Sequence, residues 1–409
     1  MKNMIYRYLR YGCSIDFPKI KQIEITNASF EDVKDELYRR VEESVLTLDR
    51  PDTSIFQLSG GFDSSVIVSY FNNIKTFCTG RPGSIDKGYA ERVSDHFKTD
   101  HTWRGYGDLL SGVDFKKAVI EMNRINRWPR CFRNDFGLYS FLRYAKDHAD
   151  CIVSGKGIEF QFIGYYTIFN NILEKAYSNG DYNVLKAKQY LDLMTHKCPS
   201  DVASLKVKRI LELKTKDVPY SLDMVKWWPS TFTKKETINL MGYEAEEPKF
   251  NNVYEITNFI TDWFGMEYVN NRIYDYFNHF DMKSHTPYIN SSVIDFTKTI
   301  PVEMKKCLSH HKYIFYQAMA HRVPDFIVTR PKEGLNTPPQ YYLENKANIL
   351  LLVGVYLRLK NLKIFDYLDF DVVQKHLLNL NEDFENKFRV AWTLINLSVW
   401  LEEHNDSDS

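Results

Sequence analysis

The chain has 409 residues, 44% of them hydrophobic, enough for one large domain or two ordinary ones with a substantial core. Lysine plus arginine and aspartate plus glutamate number 53 each, so no global field points to nucleic acid or an anionic membrane. No apolar run near the N-terminus suits a signal peptide and no window approaches the ~18 apolar residues of a membrane span, so a cytoplasmic protein with no nucleic-acid or membrane partner is expected.

Residues 1–48 read as a short β/α lead-in. Ile5–Tyr11 is an amphipathic piece, and a helix is predicted over Phe30–Leu48, where Asp32, Glu36, Arg39 and Glu43 punctuate an apolar stripe. Residues 49–170 read as a core domain. Ser54–Gln57 suits a strand, Leu58–Ser65 a loop, and Val66–Phe71 the opening of a helix. Lys75–Thr79 suits a second strand and Asp86–Phe97 a helix. Leu138–Asp147 is another helix, and Cys151–Ser154 a third strand ending in Gly155-Lys156-Gly157. This alternation predicts an α/β fold, a doubly wound parallel sheet with ligands at the carboxyl ends of its strands. Residues 171–250 read as a lysine-rich helical insertion holding Trp227-Trp228-Pro229, and 251–409 as a mostly helical completion with a frayed tail at Glu402–Ser409. Six cysteines (Cys13, Cys78, Cys131, Cys151, Cys198, Cys307) form no Cys-x-x-Cys pair and read as reduced, mostly buried thiols.

The loop Leu58-Ser59-Gly60-Gly61-Phe62-Asp63-Ser64-Ser65 carries the chemistry. A Gly-Ser loop between strand and helix cradles phosphate on backbone N–H groups. Gly60 and Gly61 let the backbone approach an anion, and Ser59, Ser64 and Ser65 can donate hydroxyls. Asp63 is the odd member: a carboxylate beside a phosphate makes sense chiefly with Mg²⁺ between them. The lysine of the common P-loop is missing, and the loop instead resembles the signature of the ATP pyrophosphatases.

Further segments extend the resemblance to the synthetase domain of the asparagine synthetases, whose relatives include β-lactam synthetases and lasso-peptide cyclases. Residues 59–64 match Ser-Gly-Gly-x-Asp-Ser, and His96-Phe97-Lys98-Thr99-Asp100-His101 resembles a family His…His segment. Ser154–Tyr165 resembles Ser-Gly-Glu-Gly-Ala-Asp-Glu-Leu-Phe-Gly-Gly-Tyr. Thr286-Pro287-Tyr288-Ile289-Asn290 stands where the family has Val-Pro-Phe-Leu-Asp, and Arg330-Pro331-Lys332-Glu333-Gly334 resembles its Arg-Pro-Lys-x-Gly turn. The resemblance implies ATP and Mg²⁺ as cofactors, a carboxylate substrate adenylated with loss of pyrophosphate, and an amine that displaces AMP to give an amide. It also implies roles: Ser59, Gly61, Asp63 and Ser64 at pyrophosphate and metal, Lys332 at phosphate and intermediate, and Leu58, Thr79 and Gly155 near adenine and ribose.

Departures bear on the substrate. Lys156 replaces a family glutamate tied to substrate activation, and Glu159 replaces the second metal-binding aspartate. Arg127-Trp128-Pro129 stands for a family Asp-Glu-Pro, and with Arg124, Arg130 and Arg133 suggests a more basic pocket than in asparagine synthetase. A small-molecule or peptide carboxylate is therefore expected, with lasso-cyclase-like or β-lactam-synthetase-like chemistry in natural-product biosynthesis. The alternatives are a stand-alone, ammonia-dependent asparagine synthetase and a degenerate ATP-binding partner subunit. Residue 2 is lysine and the loop begins at residue 58, so no glutaminase domain is expected. Tyr8–Cys13 resembles the segment joining the family's two domains. The amine would be free ammonia, an amino group of the substrate, or ammonia from a partner protein.

Overall fold

Seven short strands organise the described residues of the computed structural model: β1 (Ile55–Gln57), β2 (Lys75–Gly80), β3 (Asp100–Gly105), β4 (Cys151–Val153), β5 (Tyr220–Ser221), β6 (Lys249–Phe250) and β7 (Lys283–His285). It describes residues 1–80, 83–130, 135–159, 161–162, 220–222, 232–263, 265, 271–305, 312–331, 360–378 and 384–404. Five strands form one parallel sheet in the order β3-β2-β1-β4-β7, and β5 pairs with β6 antiparallel.

Side-chain alternation explains why both faces of the sheet are covered. Ile55, Phe77 and Ile152 belong to one apolar core, shared with the helices Lys2–Tyr11, Phe115–Ile125, Asp135–Ala145 and Phe384–Glu403. Their strand neighbours Phe56, Cys78, Cys151 and Val153 belong to a second core, shared with Phe30–Leu46, Phe62–Val68, Ile85–Phe97 and Tyr313–Met319. The α/β, doubly wound parallel sheet expected from the sequence is therefore the fold, with a largely helical C-terminal region. The chain runs from β1 outward to β3, then returns to the other side of β1 with β4. That reversal opens a crevice at the carboxyl ends of β1 and β4, where open α/β sheets bind ligands.

Several elements differ from the expectation. The helix after the loop starts at Phe62, four residues before Val66, so Asp63, Ser64 and Ser65 lie in its first turn. β3 and β7 were not visible in the sequence. β3 is a polar edge strand of intermediate burial, and Lys283-Ser284-His285 has no apolar pattern at all; pairing with β2 and β4 makes them strands. Ser29 caps the helix Phe30–Leu46, which ends two residues short of Leu48. The N-terminal segment is core: Ile5, Tyr6, Tyr8 and Leu9 are fully buried, and a left-handed Gly12 ends their helix. Of the tail expected to fray, Glu402 and Glu403 close a helix, with Glu402 accepting the Lys363 N–H at 2.9 Å and Glu403 pairing with Arg124, while 405–409 lie outside the described residues. Most of the 171–250 insertion, Trp227 and Trp228 included, lies outside the described residues. No described helix is long and apolar enough to cross a membrane.

Candidate active site

The sequence-predicted residues that are described lie at the carboxyl ends of the central strands. Leu58, Ser59, Gly60 and Gly61 follow β1, Thr79 is the penultimate residue of β2, and Gly155, Lys156 and Glu159 follow β4. Leu58 is fully buried and its N–H donates to the Phe77 carbonyl at 2.9 Å, which carries β1–β2 pairing to the edge of the loop.

The loop is folded by its own hydroxyls. Gly61 N–H donates to Ser59 Oγ at 3.2 Å, and Ser59 N–H donates to Ser64 Oγ at 3.3 Å. Ser64 Oγ and Ser65 Oγ both donate to the Gly61 carbonyl, at 3.1 and 2.8 Å. Gly60 has φ +64°, and a Cβ there would lie 2.4 Å from the backbone of Tyr89 and Ala90. The loop thus presses directly on the helix Ile85–Phe97. Gly155 is equally close to the first turn of Phe62–Val68, where a Cβ would meet the Ser64 backbone at 2.9 Å. Two glycines bring three elements together by removing side chains.

Arg330 ties the loop down from outside. Its guanidinium donates to the Ser59 carbonyl at 3.1 Å, pairs with Asp86, and stacks 4.8 Å over the Tyr89 ring. Lys332, two residues on, lies outside the described residues.

The charged centre is Asp63, Glu159 and Lys312. The Lys312 ammonium, on a side chain only 6% exposed, bonds both Asp63 carboxylate oxygens, with 2.5 Å to Oδ2. Burial pushes that ammonium toward neutrality, but the Asp63 and Glu159 carboxylates outweigh it and hold its pKa above the ordinary lysine value. Burial, and then the charge of Asp63, push the Glu159 carboxyl above the usual carboxylate range; Lys312 pulls the other way. Glu159 Oε2 accepts the Gly157 N–H at 3.1 Å. The fully buried Tyr288 donates its hydroxyl to the Asp63 carbonyl at 2.8 Å. Nearby, Thr79 Oγ1 is buried without a hydrogen-bond partner. Lys156 is half-buried at the mouth of β4.

Asp63 and Glu159 fit a divalent cation held jointly with phosphate. Mg²⁺ takes one or two protein carboxylates and fills its remaining positions with phosphate oxygens and water. Two carboxylates close enough to perturb one another suit that donor set. A cage of three or more His, Cys, Asp or Glu side chains is absent among the described residues.

Sequence reasoning missed Lys312 and Tyr288. A signal existed for Lys312: it immediately precedes the helix Tyr313–Met319, an end that favours anions, so a cation there needs another reason. The expected basic pocket fails on geometry. Arg127 and Arg130 both pair with Asp275, and Arg124 pairs with Glu403, so these arginines meet acids rather than furnishing a basic pocket. Arg133 lies outside the described residues. His101 sits at the opposite end of the sheet, where its Nδ1 is 2.9 Å from Thr76 Oγ1. Cys13, Cys78 and Cys151 are buried and form no disulfide among the described residues; the other three cysteines lie outside those residues.

A parallel sheet with a glycine-serine loop, paired carboxylates and a buried lysine at its switch point defines a fold of the ATP-pyrophosphatase type. The chain belongs to the asparagine synthase family, whose profile matches residues 33–402. It is similar to the asparagine synthetase [glutamine-hydrolyzing] 1 of Bacillus subtilis (strain 168), at 21% identity over 396 residues. The match covers 90% of this chain and 58% of that relative.

Proposed function

We propose that the chain is an ATP-dependent amide-bond-forming ligase that adenylates a carboxylate and transfers the acyl group to an amine. A substrate carboxylate oxygen attacks the α-phosphorus, the bond from that phosphorus to the bridging oxygen breaks, and pyrophosphate leaves. The amine nitrogen then attacks the acyl carbon, loses a proton, and AMP departs with the former carboxylate oxygen. The observation that carries this reading is the meeting of the Ser59–Ser65 loop with Asp63, Glu159 and Lys312 at the β1–β4 crevice.

Each residue has a part in that reading. Loop N–H groups and the Ser59 and Ser64 hydroxyls hold the phosphates of the leaving group. Asp63 and Glu159 would hold Mg²⁺, which when bound neutralises charge on the phosphate chain. Leu58 backbone, Thr79 and Gly155 face the nucleoside. The partnerless Thr79 hydroxyl suits a ribose or adenine atom, since an unmet buried hydroxyl is unfavourable until a ligand satisfies it. Lys332 supplies a cation to the α-phosphate as charge builds. Losing one such prepositioned charge lowers the rate by about 10²–10³.

Lys156 favours a substrate other than free aspartate with ammonia. A cation at the mouth of β4 suits an anionic group on the acceptor, as in a peptide or natural-product precursor. The amine is an amino group of the substrate, free ammonia, or ammonia from a partner protein. The residue divisions 1–48, 49–170, 171–250 and 251–409 serve here as a working domain scheme.

The test is release of AMP and pyrophosphate from Mg-ATP with aspartate plus ammonia and with a panel of peptides. A responding acceptor names the substrate class, and Lys332→Ala should remove the response. Response to aspartate plus ammonia alone would replace this substrate reading with a stand-alone asparagine synthetase. Nucleotide binding with no turnover on any acceptor would contradict the ligase reading and leave an ATP-binding partner subunit.

A further inference from the structure

Asp63 and Glu159 are two carboxylates whose charges both act on one buried lysine. Both Asp63 oxygens are engaged by the Lys312 ammonium. Glu159 forms no salt bridge among the described residues, and one of its oxygens accepts the Gly157 N–H. The pair is held by rigid parts. Phe62, next to Asp63, stacks on Tyr316 with ring centroids 4.0 Å apart, which locks the helix following Lys312 onto the helix carrying Asp63. Tyr288 fixes the Asp63 carbonyl. A bound Mg²⁺ requires an Asp63 oxygen at roughly 2.0–2.1 Å. An ammonium bridging both oxygens must leave at least one of them first.

We propose that Lys312 is the resident counter-cation of the metal site, holding the carboxylates in place until a divalent cation displaces it. The inference rests on the ligase reading for the identity of the metal site. It adds an order of events. A bare divalent ion meets a site already neutralised in part and binds poorly. A metal–nucleotide complex brings phosphate oxygens that give the displaced ammonium a new partner, so the complex is preferred over the bare ion. The lysine stem has four rotatable bonds and can make this change without moving the backbone. Lys312 thereby acts as a selectivity device for metal–nucleotide over metal alone.

The test is a titration of the whole chain with MnCl₂, without nucleotide or acceptor, reading free Mn²⁺ by electron paramagnetic resonance. Lys312→Met should bind one Mn²⁺ at least about tenfold more tightly than the original protein, the scale on which a close opposite charge biases a carboxylate. Lys312→Arg keeps the cation and should bind as weakly as the original. Adding Asp63→Asn to Lys312→Met should abolish the gain. Equal or weaker Mn²⁺ binding by Lys312→Met overturns the proposal. If that variant unfolds without metal, recovery of its circular dichroism on adding MnCl₂ supports the proposal, and no recovery overturns it. Since the titration contains no ATP, its outcome is independent of whether AMP is ever formed.

Discussion

The two ends of β2 hold similar chemistry and do different things. At the amino end, Thr76 Oγ1 lies 3.0 Å from Thr99 Oγ1 and 2.9 Å from His101 Nδ1, and Thr99 in turn donates to Ser94 at 2.8 Å. Those hydroxyls satisfy one another and leave only the far ring nitrogen of His101 unmet within the network, which joins two strands and a helix. At the carboxyl end, Thr79 has a buried hydroxyl with no partner, and beyond it two carboxylates share one lysine. A polar cluster alone does not mark a site. An unmet buried hydroxyl beside closely spaced carboxylates is a better mark, because both are unfavourable until a ligand completes them.

The largest effect that separates the ends is on turnover. Asp63→Ala should reduce AMP formation by about 10²–10³, since in the proposed ligase it removes a prepositioned charge at the phosphate chain. A comparable loss in Thr76→Val would erase the distinction. Next comes the packing that holds the site edge in place. Gly60→Ala forces a side chain into a left-handed position against backbone atoms of Tyr89 and Ala90. It should lower unfolding stability by about 2–4 kcal/mol, measured by urea denaturation.

The two threonines give the direct contrast. Thr76→Val leaves buried partners unmet and should destabilise by about 1–3 kcal/mol without changing KM for ATP. Thr79→Val should raise that KM by about fivefold, the loss of one ordinary hydrogen bond of about 1 kcal/mol, with stability unchanged or slightly higher. Reversed outcomes would reverse the assignment of the ends.

The smallest effect is a pH dependence at the amino end. Burial holds His101 below the ordinary histidine pKa, and its Nε2 is buried without a partner. The unfolded chain therefore takes up the proton first as pH falls through about 6.5. Stability should decline through that window and level off only below the folded value. His101→Gln should flatten the profile between about pH 7 and 5 in thermal melts. An unchanged slope would mean other groups govern it.

How far the sequence showed this arrangement depends on how local the signal was. Interior strands β1, β2 and β4 were legible because burial on both faces demands apolar runs such as Ile55-Phe56 and Cys151-Ile152-Val153. β7 was illegible because Lys283-Ser284-His285 becomes a strand only through its pairing with β4. The loop was legible because glycines and hydroxyls clustered between an apolar strand and a helix are a local sequence signal. Asp63 and Glu159 carried the same signal, while Lys312 meets Asp63 from 249 residues away. Tyr288 shared that difficulty: its hydroxyl finds a carbonyl 225 residues distant. The arginines at 124–130 misled for the converse reason, since their acids, Asp275 and Glu403, are equally remote in sequence.

The central claim, that the carboxyl edge of β1 and β4 activates a carboxylate at the α-phosphate, is tested most directly by isotope exchange. Labelled pyrophosphate, Mg-ATP and a candidate carboxylate are incubated with the protein, and label entering ATP is measured. The account predicts exchange that requires the carboxylate and vanishes in Asp63→Ala. Formation of ADP and phosphate instead, or exchange that persists in Asp63→Ala, would contradict it.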